Sequence, residues 1–193
     1  MLQSDFFDNE TEALIDLNVI YGAGKHITDK CLIIFSKEIH TYLLEHYECE
    51  IIGEIGACNG NIPIYCLEYK GEKIAFYLTG IGSAVASSMC YECHHVIGAT
   101  KYIMFGSCGS LDKEVTKGKF IIPTESYRGE GCIAVEMELA GVQAICDFYG
   151  LELYDFLEAG DVLGDSGYEF EGLHDANHNV GKALIALEAA TYL

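Results

Sequence analysis

The chain has little positive charge. Its 193 residues include 11 lysines and arginines against 30 aspartates and glutamates, so the formal net charge is −19, and Arg128 is the only arginine. Because nucleic acids and anionic membranes bind proteins through basic patches, this composition argues against both as partners. An anionic ligand would have to be bound by Arg128, by a few lysines, or by backbone N–H groups at helix starts.

The sequence also lacks a long apolar run and a recognisable export signal. No hydrophobic stretch reaches the length that spans a bilayer. The first 17 residues are acidic and lack the order of basic, apolar and small residues that is typical of a signal peptide. We therefore expect a cytoplasmic location, in which the nine cysteines, scattered through apolar strands, are reduced and mostly buried.

The centre of the chain predicts a βαβ unit. Ile74–Leu78 is an apolar run of strand length, Ala84–Ile97 has the pattern of a helix, and Tyr102–Phe105 is a second buried type of strand. Ser83 is the predicted N-cap of the helix, and Gly98 follows its last residue. Such a unit is nearly always right-handed and parallel.

Two glycine-rich turns are predicted where these strands end, at Thr79–Gly82 and at Gly106–Gly109. Neighbouring parallel strands would place both turns at the edge where open α/β sheets bind ligands. The first turn is half of a dinucleotide fingerprint, but Val85 stands where the third glycine is needed. The second turn could bind a small anion through backbone N–H groups and the Ser107 hydroxyl, or could be a tight turn over a buried cysteine.

The remaining elements complete one α/β domain over residues 1–193, without an interdomain linker. The predicted elements are strands at 31–35, 119–123 and 153–157, a hairpin of 50–55 with 62–69, and helices at 36–46, 133–149 and 175–192. Ser36 is the predicted cap of the first of these helices, and Leu184 and Ile185 are expected on the inward face of the last.

Three carboxylates are candidates for a ligand-binding or catalytic role. Glu136 and Glu138 open a predicted helix, where they would either cap it or bind a pair of sugar hydroxyls. Asp161 follows a strand, where it is either a turn residue or a general acid.

No metal site is predicted. Cys90, Cys93, His94 and His95 lie on one predicted helix, and no second ligand pair has matching spacing. His174 and His178, near the start of the last helix, are expected to be solvated.

Five segments together resemble the nucleoside phosphorylase-I family, which includes hexameric purine nucleoside phosphorylases, uridine phosphorylases and related nucleosidases. They are GIGS at 80–83, GSCGS at 106–110, IPTESYRGEG at 122–131, VEMELAGV at 135–142, and the strand end at Asp161. The resemblance covers roughly residues 31 to 191. It implies a three-layer α/β fold with a mixed, mostly parallel twisted sheet between helices.

The resemblance implies phosphorolysis of the N-glycosidic bond of a nucleoside, with a purine base favoured over uracil. It implies that Asp161 faces N7 of the base as the catalytic residue. The sugar would be bound by Ile81, Glu136, Met137 and Glu138, and the phosphate by Gly82, Ser107 and Arg128. Inorganic phosphate would be the co-substrate, no cofactor is expected, and the chain would form a homo-oligomer built from dimers, such as a hexamer.

Two departures from the family keep alternatives open. The family's phosphate-binding arginines are missing after the first strand and before the GSCG segment, and Lys25, Lys37 or Arg128 would have to replace them. Several dozen residues usually separate the SYRGEG and VEME segments, whereas Gly131 here precedes Cys132 directly. A hydrolytic nucleosidase, with Glu10 or Glu12 activating water, and a non-catalytic nucleoside-binding relative are therefore the alternatives.

Overall fold

The computed structural model describes residues 15–57, 60–125, 131–165 and 167–193. Its strands are β1 (Lys30–Ile34), β2 (Cys49–Ile55), β3 (Ile62–Tyr69), β4 (Glu72–Leu78), β5 (Lys101–Ser110), β6 (Phe120–Ile121), β7 (Ala134–Val135), β8 (Glu152–Gly164) and β9 (Gly167–Glu169). Its helices are α1 (Leu17–Tyr21), α2 (Lys37–His46), α3 (Ser83–Ile97), α4 (Lys113–Thr116), α5 (Leu139–Tyr149), α6 (Leu173–His178) and α7 (Val180–Ala190).

The nine strands in these ranges form one mixed sheet. The order is β2-β3-β4-β1-β5-β8-β6, with β7 paired to β5 and β9 paired to β8. The four central strands β4, β1, β5 and β8 are mutually parallel, and the remaining pairings are antiparallel. The predicted fold class, a mixed and mostly parallel sheet flanked by helices, is therefore confirmed. No helix in the described ranges is long and apolar enough to cross a bilayer.

The central βαβ unit is present, but its strands are not neighbours. β1 lies between β4 and β5, with Lys30 aligned with Ile74 on one side and with Lys101 on the other. The expectation of adjacent strands is thus wrong. The strand between them, β1, comes from an earlier part of the chain. The βαβ segment alone could therefore not predict its position.

Helices cover both faces of the central strands, and β1 shows how the sequence provides for this. Successive side chains of a strand point to opposite faces, so a strand buried on both faces is continuously apolar. Cys31 and Ile33 contact the layer formed by α3 and α5, whereas Leu32 and Ile34 contact the layer formed by α2 and α7. Fully burying an aliphatic side chain of this size stabilises the folded state by about 1.5–3 kcal/mol relative to leaving it exposed.

The layer under α3 contains a group of thiols. The Sγ atoms of Cys31 and Cys93 lie 3.7 Å apart, and Cys90 and Cys146 are buried in the same cluster. Burial raises the pKa of the Cys31 thiol well above its ordinary value. These cysteines are free thiols buried in the core, as the sequence predicts for them.

Several helix ends follow the predicted local signals. The Ser36 Oγ accepts a hydrogen bond from the Ile39 N–H and caps α2. Gly98 ends α3 in the left-handed conformation, with φ of 75°. Ser83, however, is not the N-cap of α3: the helix begins at Ser83 itself, preceded by Gly82, and the Ser83 Oγ donates to the Met137 carbonyl oxygen at 2.9 Å.

The predicted C-terminal helix is two helices. Asn179 separates α6 from α7, and its Oδ1 accepts a hydrogen bond from the Gly181 N–H at 2.9 Å. α6 contacts β5, β8 and α2. Leu184 and Ile185, predicted to face inward, are 41% and 45% exposed, so that prediction is wrong.

Two strands at the sheet centre are longer than predicted. β5 continues through the predicted turn at Gly106–Gly109, and β8 continues past Asp161. A Cβ at Gly109 would meet the end of the Leu163 side chain, which would have to shift to accommodate it. Ser107 and Asp161 are therefore held by paired strands rather than by loops.

Candidate active site

A cavity of about 520 Å³ lies beyond the carboxyl ends of the parallel strands. It is bounded by the start of α2, the end of β5, residues 135–138, the end of β8, and the α6–α7 segment. This volume lies within the range of small-molecule sites, and strand ends are where open α/β sheets place them.

The cavity brings together most of the predicted site residues. Those that line it are Ile81, Ser107, Glu136, Met137, Glu138 and Asp161. Gly82 contacts Glu138 through its N–H group. Arg128 lies outside the described residues, as do Glu10 and Glu12.

Glu138 is fixed at the wall of the cavity. Its Oε1 accepts a hydrogen bond of 2.7 Å from the Gly82 N–H. Burial raises the pKa of the Glu138 carboxyl, and the Gly82 N–H opposes that rise. This bond links two predicted ligand groups to each other, so the Gly82 N–H is occupied by a carboxylate in this structure.

Glu136 caps the start of α5. Its Oε2 accepts hydrogen bonds of 2.6 Å from the N–H groups of Glu138 and Leu139. These groups open α5, where unpaired N–H groups and the helix dipole favour a negative charge. The α5 helix begins at Leu139 instead of the predicted position 133, so Glu136 precedes the helix and caps it.

Asp161 lies at the inner wall and is 9% exposed. The Tyr168 hydroxyl hydrogen bonds to this carboxylate, which raises the pKa of Tyr168. Ile81 and Met137 stand at the opening and remain 66% and 62% exposed. A buried acid and an apolar entrance are therefore combined in one cavity.

Lys182 is a site residue that the sequence pattern does not reveal. Its side chain is fully buried and lines the cavity. The Nζ donates to the Gly106 carbonyl at 2.7 Å and also to the Ala176 carbonyl, and it lies 4.0 Å from the Glu158 carboxylate. The ammonium group thus joins β5 to α6 directly behind Ser107.

The Ser107 hydroxyl is also engaged. It donates to the Oδ1 of Asn177 on α6. Ser107 and Lys182 together attach the α6 segment to the end of β5. A ligand that binds the Ser107 hydroxyl would have to share or replace the contact with Asn177.

The buried ammonium predicts a pH-dependent stability. Burial lowers the pKa of Lys182 from near 10.5 to about 8. Between these values the unfolded chain binds more protons than the folded chain, so this residue's contribution to the unfolding free energy rises with pH. We expect the difference between wild type and Lys182→Met, measured by urea denaturation, to shift by about 3 kcal/mol in favour of wild type from pH 8 to 10.5. A difference independent of pH would contradict this assignment.

Asp155, on β8, is a second buried ionisable residue that the sequence does not single out. Burial raises the pKa of its carboxyl to about 8, and the negative charge of Glu136 contributes to the rise. The group is therefore mostly protonated at neutral pH. It adds little negative charge beside the cavity.

The other candidate residues lie elsewhere. Lys25 and Lys37 are not among the described residues that line the cavity. The His94 Nδ1 lies 2.8 Å from the Ala99 carbonyl, and the His95 Nε2 lies 3.0 Å from the Gly22 carbonyl. His94 and His95 thus contact backbone oxygens.

Comparisons with known proteins agree with the fold. A model of the phosphorylase superfamily matches residues 43–133. A futalosine hydrolase mutant of Helicobacter pylori superposes with a TM-score of 0.62 and 14% identity, over 85% of this chain and 100% of that chain. The 5′-methylthioadenosine/S-adenosyl homocysteine nucleosidase of Helicobacter pylori also gives a TM-score of 0.62 at 14% identity, over 86% and 100% of the two chains. A search of curated proteins by sequence found no match.

Proposed function

We propose that this chain, which belongs to the phosphorylase superfamily, cleaves the N-glycosidic bond between the sugar and the base of a nucleoside. The observation that carries the proposal is the placement of Glu138 and Asp161 in one cavity at the strand ends. Glu138 binds the sugar hydroxyls, and Asp161 hydrogen bonds to the leaving base. Met137 and Ile81 pack against the sugar at the entrance.

The chemistry needs these two carboxyl groups in different roles. As the glycosidic bond breaks, the sugar becomes oxocarbenium-like and its positive charge is stabilised by nearby negative groups. The base leaves more readily when an acid protonates it or donates a hydrogen bond to it, a contribution of typically 10²–10⁴-fold. Asp161 provides this group, and the charge of Glu138 favours the cationic sugar.

We propose water, rather than phosphate, as the acceptor of the sugar. Glu136, Glu138 and Asp161 line the cavity, and Lys182 is the one lysine among its described lining residues. The Lys182 ammonium already donates to two carbonyl groups. A phosphate dianion would therefore meet mainly negative charge, whereas a water molecule carries no such cost. The similar structures named as a hydrolase and a nucleosidase agree with this choice.

Phosphorolysis, which the sequence resemblance implies, is the second candidate. The feature that favours it is the Ser107 hydroxyl at the end of β5, within the cavity and in front of Lys182. Phosphate would be bound there with the Gly82 N–H and Arg128. This requires the Gly82 N–H to leave the Glu138 carboxylate.

A purine nucleoside is the proposed substrate. A buried acid suits a base that accepts a proton at a ring nitrogen, as purines do at N7. One of the similar structures is named for 5′-methylthioadenosine, an adenine nucleoside. Adenosine, 5′-methylthioadenosine, inosine, guanosine and uridine form the panel that tests this choice.

The decisive experiment measures base release from this panel with and without inorganic phosphate. Hydrolysis predicts equal rates in both conditions and a free reducing sugar as the second product. A sugar 1-phosphate formed only with phosphate would replace hydrolysis by phosphorolysis. Binding without release of any base would leave a nucleoside-binding protein without catalytic activity.

We also propose that the chain forms dimers, and that it acts in the cytoplasm. Ile15, Val19 and Ile20 near α1 are 70%, 83% and 59% exposed, whereas Leu17 between them is buried. Three exposed apolar side chains on one short segment suit a contact with a second copy. Light scattering that finds only monomers would contradict the dimer.

A further inference from the structure

Two histidines and a glutamate converge beside the cavity. Glu38 lies in the first turn of α2, and His174 and His178 lie on α6. Each offers one ligand atom, and these atoms lie within 4.8 Å of one another. The proposed cleavage of a nucleoside uses none of the three.

The spacing on α6 explains how the histidines meet. Residues four apart on a helix share a face. The rings of His174 and His178 accordingly lie edge to face, with their centroids 4.7 Å apart. Glu38 approaches from the neighbouring helix, with its Oε1 4.0 Å from the His178 Nε2.

The second nitrogen of each histidine already has a polar neighbour. The His178 Nδ1 lies 2.8 Å from the Ser36 Oγ, which is itself held by the Ile39 N–H. The His174 Nδ1 lies 3.6 Å from the Asp175 carboxylate. Histidines that bind metals typically have a hydrogen-bonding partner on the other nitrogen, as His178 has in Ser36, because it sets the tautomer and orients the ring. These contacts leave Nε2 of each ring available.

We propose that Glu38, His174 and His178 bind one divalent transition-metal ion of the zinc type. Two imidazoles and one carboxylate are a ligand set that suits Zn²⁺, and they leave a fourth position open. Imidazole nitrogen disfavours Mg²⁺ and Ca²⁺, which take oxygen ligands. The chain's net charge of −19 favours the approach of any cation.

Little movement is needed to form this site. With bonds of about 2.0–2.1 Å, the ligand atoms of a tetrahedral site lie roughly 3.3 Å apart. The side chains of Glu38 and His174 are 61% and 75% exposed, so they can rotate toward the ion without moving the helices. Ser36 and His178 also line the cavity, which places the ion at its edge.

The test is calorimetric titration of Zn²⁺ into chelator-treated protein without an affinity tag. Wild type is expected to bind one ion per chain, and Glu38→Gln and His174→Gln are each expected to weaken binding at least about 10-fold. Glu45→Gln and His46→Gln are the matched controls, because they remove the same side-chain types from the exposed C-terminal end of α2. Both controls should keep the wild-type affinity.

The cysteines require a separate readout, since thiolates also bind zinc. Co²⁺ bound by nitrogen and oxygen shows visible bands without the near-ultraviolet thiolate-to-cobalt charge-transfer bands. Thiolate bands in wild type, or an affinity unchanged by Glu38→Gln and His174→Gln, would overturn the proposal. Absence of Zn²⁺ binding would do the same. None of these results depends on whether the chain cleaves nucleosides.

Discussion

Replacing Asp161 with asparagine is expected to lower kcat for nucleoside cleavage by about 10²–10⁴-fold, with a much smaller change in KM. Asparagine has nearly the same shape and can still hydrogen bond to the base, but it cannot supply a proton. The substitution therefore removes stabilisation that develops only as the glycosidic bond breaks. Steady-state kinetics on the preferred nucleoside measure both parameters.

The matched control is Asp165→Asn, which removes an exposed carboxylate just after β8. It should keep the wild-type kcat. Thermal unfolding must show that Asp161→Asn remains folded, because Asp161 is nearly buried. A folded Asp161→Asn protein with more than about half of the wild-type kcat would remove the general-acid role.

The second large effect is on stability. Gly141 lies in the first turn of α5, against the start of α3. A Cβ at this position would lie 2.8 Å from both the Cβ and the carbonyl oxygen of Ser83. Because the Ser83 carbonyl belongs to the backbone, it cannot rotate away, and the two helices must separate. We expect Gly141→Val to lower the unfolding free energy by about 3 kcal/mol, or the melting temperature by about 6–12 °C.

Ala140→Val is the control, since position 140 is the preceding residue of the same helix and is exposed. It introduces the same β-branched side chain without meeting α3, and it should change the unfolding free energy by no more than about 0.5 kcal/mol. Gly141→Val should also reduce substrate affinity, because the Ser83 Oγ holds the Met137 carbonyl beside the cavity. Equal stability of the two variants would show that the helices adapt to the extra side chain.

Local sequence signals predicted most elements of the fold. The hairpin of β2 and β3, the Ser36 cap and the left-handed Gly98 depend on residues that lie close together in the chain. The position of β1 between β4 and β5 depends on pairings with two distant strands. Ser83 shows the same limit, because its hydroxyl binds a carbonyl 54 residues away instead of its own helix.

The candidate site likewise contains residues that the sequence could place and residues that only the structure could place. Glu138 and Asp161 could be placed together because family-like motifs mark both positions in the sequence. Lys182 could not, since a lysine in the first turn of a helix is normally solvated. Its burial depends on the break at Asn179 and on two carbonyl oxygens from other elements. Glu136 was predicted either to cap the helix or to bind the sugar, and the hydrogen bonds that its carboxylate accepts from the Glu138 and Leu139 N–H groups favour the cap.

The neighbouring thiols of Cys31 and Cys93 can report local opening of the protein. Both are sealed between β1 and α3, and the thiol of Cys31 stays protonated because burial disfavours the thiolate. An alkylating reagent reacts with thiolates, so it can modify these positions only while the helix has lifted from the sheet. Where reclosing is faster than alkylation, the rate at which they are labelled in native conditions therefore reports the fraction of molecules in which the layer above the sheet is open.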